Sequence, residues 1–389
     1  MGISLGLVGL GAFGSTFADL FMSHPLVDRI ALCDREPERM RVFAEKPTWQ
    51  AKLSRDDLYA SLDEICESDL DALVLITQPW LHAPQAIQAL EAGKHVYSAV
   101  PVISIPDADE ILDWCDRLVR AVESTGLHYM LGETTYYRPQ AMYCRRQARA
   151  GAFGSFVYAE GEYFHDRDSS CNLREVRSQR LASGAGHEWL AVEAKYRQRG
   201  VKGGPMHYPT HSTSGPISVM GAHPVTVCAW GYANRSEDPY FADDAFSNET
   251  ALFYLSNGAT MRICEYREIG HPEREIFRIY GTEGSFENDT WTDNRTVSPI
   301  SAEEMRDPLP PEVEDAFAQA CGASFLGGHG GSHAYLVHEF VESVAHDRVP
   351  AINIWEAVRY MAAGATAHKS ALAGGELIDV PDWGDSPTV

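Results

Sequence analysis

The first 130 residues alternate short apolar runs with amphipathic stretches of helical length. The apolar runs predict strands at residues 3–8, 29–34, 71–77, 95–98 and 128–132. The stretches between them predict helices at residues 13–23, 36–45, 83–92 and 107–124. Because parallel strands must be joined by crossover connections, this alternation predicts an α/β domain with a doubly wound parallel sheet.

The pattern changes after Gly132. A helix at 139–150 is followed by runs in which apolar and polar residues alternate, at 155–164, 225–232, 250–255, 260–267 and 275–280. Such runs are typical of antiparallel strands with one face exposed to water. Helices at 333–346 and 355–372 follow, and the glycine-rich stretch 327–331 is predicted to be a flexible loop. We therefore expect a Rossmann-type domain at 1–132 and an α+β domain with a large, open-faced, mostly antiparallel sheet at 133–389.

The composition disfavours several classes of function. There are 55 acidic residues against 32 lysines and arginines, a formal charge of −23, which repels nucleic acids and anionic membranes. Eight dispersed cysteines without a Cys-x-x-Cys pair favour buried thiols in a reducing compartment over a metal site. With no signal-peptide pattern and no membrane-length apolar run, we expect a cytoplasmic protein.

A glycine pattern of the form G-x-G-x-x-G follows the first predicted strand and opens the first predicted helix. In that context glycines allow a tight turn and bare backbone against a pyrophosphate, so the pattern predicts a dinucleotide site. Asp34 ends the second strand 20 residues beyond the last glycine, where a carboxylate accepts from ribose hydroxyls, and favours NAD. The adjacent Arg35 leaves NADP open. The predicted pyrophosphate loop consists of Gly9, Gly11, Ala12, Phe13 and Gly14.

Several segments together resemble the Gfo/Idh/MocA oxidoreductases: the glycine pattern, 77–82 (TQPWLH), 92–98 (AGKHVYS), 151–154 (GAFG) and 278–285 (RIYGTEGS). The resemblance implies a Rossmann domain followed by an open-faced domain whose sheet often forms a homodimer or homotetramer. It also implies cofactor contacts from Thr77, Gln78, Pro79, His82, Ala99, Val100, Pro101 and Glu133.

Two departures from that family bear on its chemistry. Family dehydrogenases carry Glu-Lys-Pro where this chain has Ala99-Val100-Pro101, and Val100 cannot transfer a proton. Aligning the family's catalytic histidine with His211 also places His207 where those enzymes have an aspartate. If this chain were an ordinary dehydrogenase, it would therefore lack the lysine and the aspartate that those enzymes use for acid–base chemistry.

A different branch is more similar. Residues 160–166 (EGEYFHD) and 208–211 (YPTH) resemble segments of the NAD-dependent α-N-acetylgalactosaminidases, redox glycosidases related to others that cleave sulfoquinovosides. This implies a sugar or glycoside substrate, transient oxidation at C3, and elimination across C1 and C2. His211 would then serve the C3 hydroxyl, and Tyr163 and Tyr208 would serve C2 and the leaving group. His165, Asp166 and His207 would shape the pocket.

Residues 174–202 carry seven basic residues against three acidic ones, opposite to the charge of the whole chain. The segment is either a solvated loop or subunit contact, or the entrance of a site that binds a sulfonate, phosphate or carboxylate on the sugar. In the second case Arg174 and Lys202 are the candidate contacts. Two other functions stay open: an NAD-dependent sugar or inositol dehydrogenase that releases NADH, and a non-catalytic NAD-dependent regulatory protein.

Overall fold

The structure, a computed structural model, describes residues 2–169, 172–235 and 237–387. Its first part is a six-stranded parallel sheet of order β3-β2-β1-β4-β5-β6. The strands are β1 (Ile3–Val8), β2 (Val27–Cys33), β3 (Leu58–Tyr59), β4 (Ala72–Leu75), β5 (His95–Ser98) and β6 (Tyr129–Leu131). The connecting helices are α1 (Gly14–Ser23), α2 (Pro37–Ala44), α3 (Leu62–Cys66), α4 (His82–Glu91) and α5 (Ala108–Thr125). The doubly wound domain is confirmed.

Local signals account for these boundaries. The Asp107 carboxylate caps α5 by accepting from the amides of Asp109 and Glu110, and Gly126 ends the helix with a φ of 68°. Two elements, β3 and α3, were not predicted because both are short. Strand β3 has two residues, neither of them buried, and helix α3 has five.

The second part is a nine-stranded sheet of order β14-β13-β12-β11-β7-β10-β9-β8-β15. All its pairs are antiparallel except β7 with β10. The strands are β7 (Phe156–Phe164), β8 (Pro224–Tyr232), β9 (Asn248–Leu255), β10 (Thr260–Tyr266), β11 (Arg274–Gly281), β12 (Gly284–Glu287), β13 (Thr290–Asp293), β14 (Thr296–Pro299) and β15 (Ile378–Asp379). The predicted open-faced sheet is confirmed, although its four shortest strands were not foreseen. The division of the chain at residue 132 stays a prediction.

Eight helices of the described chain belong to this second part: α6 (Pro139–Arg149), α7 (Leu173–Ala182), α8 (Gly184–Gln198), α9 (Thr210–Met220), α10 (Ala302–Met305), α11 (Pro311–Cys321), α12 (Ser332–Ala345) and α13 (Ile354–Leu372). The basic segment is thus mostly helical rather than a loop, because α7 and α8 contain all of it except residues 183 and 199–202. Trp189 of α8 stacks on Trp80 of the first part with ring centroids 4.9 Å apart. Residues 327–331 include a short 3₁₀ turn, His329–Gly331.

Helix α9 is the element that positions the site. Nearly all of its residues are buried, because it runs beneath the second sheet and also packs against α13. A β-carbon at Gly161 of β7 would collide with the carbonyl oxygen of Ser212, so the glycine permits this close approach. The start of α9 consequently lies deep between the two parts of the molecule. None of the described helices is both long and apolar enough to cross a membrane.

Candidate active site

A cavity of about 1180 Å³ lies between the carboxyl ends of the parallel strands and the second part. In doubly wound sheets this edge is where ligands bind. The wall includes the loops after β1, β2 and β4 on one side, and residues of β7, α7 and α9 on the other. The described structure therefore brings most of the sequence-predicted site residues to one space.

The loop after β1 fits a pyrophosphate. Gly9 has a φ of 89°, and a β-carbon there would lie 2.4 Å from the carbonyl oxygen of Ile76. A β-carbon on Gly14 would collide with the carbonyl oxygen of Gly9. A β-carbon on Gly11 would come no closer than 3.9 Å to a neighbour, the Arg39 guanidinium, and no side chain caps the start of α1. Bare backbone and an uncapped helix N-terminus together suit a phosphate group. Ala12 and Phe13 complete this wall.

Asp34 is held at the end of β2, facing the cavity. Its carboxylate accepts from the amide of Leu10 at 2.8 Å and from that of Glu36 at 2.9 Å. Arg35 also lines the cavity, but both terminal nitrogens of its guanidinium bond to Glu188 of α8, at 2.7 and 3.1 Å. Arg35, the residue that could hold the 2′-phosphate of NADP, is thus already paired with a carboxylate, and this favours NAD.

The loops after β4 and β5 form the opposite end of this wall. Thr77, Gln78, Pro79, His82, Ala99 and Val100 line the cavity. Pro101 and Glu133 lie behind the lining; Pro101 acts through its carbonyl oxygen, 2.8 Å from His82 Nδ1. Burial lowers the pKa of His82 to about 4, so this imidazole is neutral at physiological pH.

His211, near the start of α9, forms a buried ion pair. Its Nδ1 lies 2.9 Å from Glu133 Oε1 and 3.8 Å from Glu275 Oε1, which leaves Nε2 as the nitrogen available to a ligand. Burial acts to lower the pKa of His211, but the two carboxylates outweigh it and raise this pKa to about 9. The imidazole is therefore charged at neutral pH, unlike the near-neutral titration that the isolated residue type suggests.

The sequence analysis missed Glu275 and its partners. Glu275 lies in β11 and accepts from the Thr135 hydroxyl and the Arg138 guanidinium. Ligand atoms of Glu133, His211 and Glu275 lie within 4.8 Å of one another, a spacing that a metal ion can use. Because these groups are already engaged with one another and with Arg138, the geometry favours a charge network. No local signal marked Glu275, since its partners are distant in sequence.

Tyr163, in β7, and His165, just after the end of that strand, form a second acid–base pair. The Tyr163 hydroxyl lies 2.6 Å from His165 Nδ1, and the ring of Tyr163 is 4.9 Å from that of His211. Burial raises the pKa of Tyr163 well above its usual value and lowers that of His165 to about 4. Both groups are uncharged at neutral pH. Tyr163 can therefore act as a base only if its own proton passes to His165.

Tyr208 closes the wall on the other side of His211, with ring centroids 5.6 Å apart. Its hydroxyl donates to the carbonyl oxygen of Val100 at 3.2 Å. Burial raises the pKa of Tyr208 to about 12, which makes the phenol a proton donor rather than a base at neutral pH.

Four of the five predicted substrate contacts lie outside the lining. Asp166 caps its own loop by accepting from the amides of Asp168 and Ile269. Arg174 pairs with Asp168 and Asp238, and His207 packs on the ring of His368. Lys202 also lies outside the lining. The cavity instead includes Thr134, Arg180, Asp244, Arg267 and His329, which were not chosen because nothing local distinguishes them.

Known proteins similar to this chain agree with the fold. Residues 3–132 match the family model described as oxidoreductase family, NAD-binding Rossmann fold, and residues 188–377 match that of its C-terminal alpha/beta domain. A glycosyl hydrolase family 109 protein of Streptomyces filamentosus is 26% identical, over 98% of this chain and 77% of that protein. An alpha-N-acetylgalactosaminidase of Tannerella forsythia is 24% identical, over 80% and 70%.

Among solved structures, scyllo-inositol dehydrogenase of Lactobacillus casei, with NAD(H) and scyllo-inositol bound, has a similar fold. Its TM-score is 0.68 at 16% identity, over 97% of this chain and 99% of that chain. The glycine loop and Asp34 thus lie in an NAD-binding Rossmann domain. The chain belongs to the Gfo/Idh/MocA family of NAD-dependent oxidoreductases.

Proposed function

We propose that this protein hydrolyses a glycoside by transient oxidation of the sugar, with NAD⁺ regenerated in each turnover. The observation that carries the proposal is the presence of two acid–base pairs in one cavity, His211 with Glu133 and Tyr163 with His165. Oxidation of an alcohol needs one proton acceptor, whereas elimination needs a second group at the neighbouring carbon. Relatives named as glycosidases support this proposal.

The reaction balances without any net oxidation. NAD⁺, when bound, supplies reversible acceptance of the hydride from C3 of the sugar. With C3 as a ketone, the C2 proton becomes acidic, and its removal breaks the bond between C1 and the aglycone oxygen, which leaves with a proton. Water then adds its oxygen to C1 and a proton to C2, after which hydride returns to C3 and a proton returns to the C3 oxygen. The sum is glycoside plus water giving free sugar plus alcohol.

His211 is assigned to the C3 hydroxyl. In its deprotonated form, Nε2 accepts the hydroxyl proton while Nδ1 stays bonded to Glu133. A pKa of about 9 lets the imidazolium keep that proton during elimination and hydration, and return it at the end. The same pKa means that the base form becomes abundant only in mildly alkaline solution.

Tyr163 is assigned to C2 and Tyr208 to the leaving oxygen. Tyr163 can accept the C2 proton if its own moves to His165 Nδ1, and the Arg267 guanidinium 4.7 Å from its ring centroid stabilises phenolate character. Tyr208 is a neutral donor that can protonate the aglycone oxygen. Val100 is consistent with these assignments, because its side chain cannot transfer a proton and His211, Tyr163 and Tyr208 carry out the transfers instead.

The proposal extends to an anionic glycoside, on account of the basic α7 and α8, and to assembly through the second sheet. On the open face of that sheet, Trp230 is 57% exposed and Tyr254 is 52% exposed, with Tyr232 and Leu252 beside them. Adjacent exposed aromatic and aliphatic residues on a sheet are typical of an interface, and a second copy of this chain would cover them. Six cysteines are free thiols, which favours the cytoplasm: Cys33, Cys66, Cys115, Cys144, Cys228 and Cys264.

The test is a reaction in heavy water with p-nitrophenyl glycosides and a trace of NAD⁺, following nitrophenolate, NADH and the product by NMR. We expect cleavage with no accumulation of NADH, and deuterium at C2 of the sugar. His211→Gln should lose activity by about 10²-fold or more. The control His346→Gln removes an exposed histidine at the end of α12 whose ring contacts Glu342 of the same helix, and it should behave as wild type. A parallel reaction supplies an unglycosylated sugar with excess NAD⁺. Stoichiometric NADH there, without deuterium at C2, would establish a dehydrogenase instead.

A further inference from the structure

Arg180 differs from the other basic residues of the 174–202 segment. It lies in the last turn of α7 and lines the cavity, whereas Arg174, Lys195 and Lys202 do not. Its position therefore places a positive charge at the cavity itself rather than on the outer surface of the two helices.

The neighbouring arginines are neutralised by nearby carboxylates. Arg174 pairs with Asp238 at 2.9 Å, Arg177 with Glu193 at 3.2 Å, and Arg197 with Asp243 at 2.7 Å. Arg199 pairs with Asp107 and Glu110. The Arg180 guanidinium has neither a hydrogen bond nor an ion pair within residues 2–169, 172–235 and 237–387.

The other arginines of the cavity wall also have partners. Arg35 pairs with Glu188, Arg39 with Glu36 at 2.9 Å, and Arg267 with Glu265 at 2.6 Å. In the described part of the chain, Arg180 is thus the one guanidinium of the wall without a carboxylate. In a chain with a formal charge of −23, an arginine left without a carboxylate is available to an incoming anion.

Arg180 lies in the same cavity wall as His82, His165 and Tyr208. Burial dominates the pKa values of His82, His165 and Tyr208, but the charge of Arg180 acts on all three. His165 Nε2 is buried without a hydrogen-bond partner and offers a second polar contact in the same wall. Asp244 lines the cavity as well, and burial raises its pKa to about 6, which weakens its repulsion of an anion in mildly acidic solution.

We infer that Arg180 binds an anionic substituent of the sugar, a sulfonate, carboxylate or phosphate, and thereby selects charged over neutral glycosides. The guanidinium presents a planar pair of N–H donors that matches two oxygens of any of these groups. This inference rests on the proposed function in taking the ligand to be a glycoside, but the binding of the anion does not depend on turnover.

The test compares wild type, Arg180→Gln and Lys195→Gln, all saturated with NAD⁺. Lys195 is an exposed cation of α8 outside the cavity wall, so its replacement removes the same charge without touching the site. Calorimetry measures binding of hexose 6-phosphates, hexuronates and 6-sulfo-hexoses against the matching neutral hexoses. Rates with p-nitrophenyl glycosides of the same sugars are measured in parallel.

We expect wild type and Lys195→Gln to prefer at least one anionic sugar over its neutral partner, and Arg180→Gln to reduce that preference about 10- to 100-fold. Binding without cleavage would refute the glycosidase but keep the anion site. No preference in wild type, or equal losses in the two variants, would overturn the inference. A loss of NAD⁺ affinity in Arg180→Gln, with charge selectivity intact, would instead assign the guanidinium to the cofactor.

Discussion

Replacing Glu133 with glutamine should move the titration of His211 toward neutral pH. Glu133 Oε1 is 2.9 Å from His211 Nδ1, and its charge is the largest influence that raises the pKa of His211 to about 9. A hydrogen bond between charged groups contributes about 1.5–3 kcal/mol, and one pKa unit corresponds to about 1.4 kcal/mol. Glu133→Gln should therefore lower the pKa of His211 by about one to two units, because Glu275 still acts on the ring.

The measurement is an NMR titration of ¹³Cε1-labelled histidines in the protein without cofactor, with His211→Gln to assign the signal. The control is Glu283→Gln, which removes an exposed carboxylate remote from the ring and should leave the titration in place. The alkaline rise of kcat/KM should shift in the same direction, with a lower plateau because the imidazole becomes a weaker base. An unchanged midpoint in Glu133→Gln would refute the assignment of the raised pKa to this ion pair.

The same pair should make stability depend on pH. The folded-state pKa of His211, about 9, exceeds its unfolded value of 6.5, so the associated stabilisation is fully present below pH 6.5 and is lost as pH rises through 9. The shift of about 2.5 units corresponds to roughly 3 kcal/mol. Urea denaturation should show this loss in wild type and a smaller one in Glu133→Gln; equal slopes in the two proteins would contradict the linkage.

Three further outcomes follow from the cofactor cleft. Asp34→Ala should weaken NAD⁺ binding by about 1–3 kcal/mol in calorimetry, and an unchanged Kd would remove the carboxylate from the ribose site. Glu188→Gln should free the Arg35 guanidinium and increase NADP⁺ affinity relative to NAD⁺; no change in that ratio would show that Arg35 does not reach a 2′-phosphate. Gly14→Ala should cost about 1–3 kcal/mol of unfolding free energy, because its β-carbon meets the carbonyl oxygen of Gly9, and wild-type stability would contradict that close approach.

The sequence by itself determined the parts of this protein that depend on local pattern. The strand at 95–98 matches β5, and the strand at 3–8 matches β1, because both are buried apolar runs whose signal lies within the run. The glycine loop and Asp34 were also recognisable, since tight turns and helix starts require particular residues at fixed spacing. The shortest strands escaped notice because two to four residues carry too little periodicity to identify.

Only the tertiary structure decided how the charges of the site are distributed. His211 and Glu133 are 78 residues apart, and Thr135 and Glu275 are 140 residues apart, so no local pattern announces either contact. The basic segment looked uniform in sequence, yet folding places a carboxylate beside Arg174 and, among the described residues, none beside Arg180. Burial and nearby charges set the pKa of His211, and packing determines which arginines of the described chain have a carboxylate partner. Both depend on long-range contacts rather than on residue type.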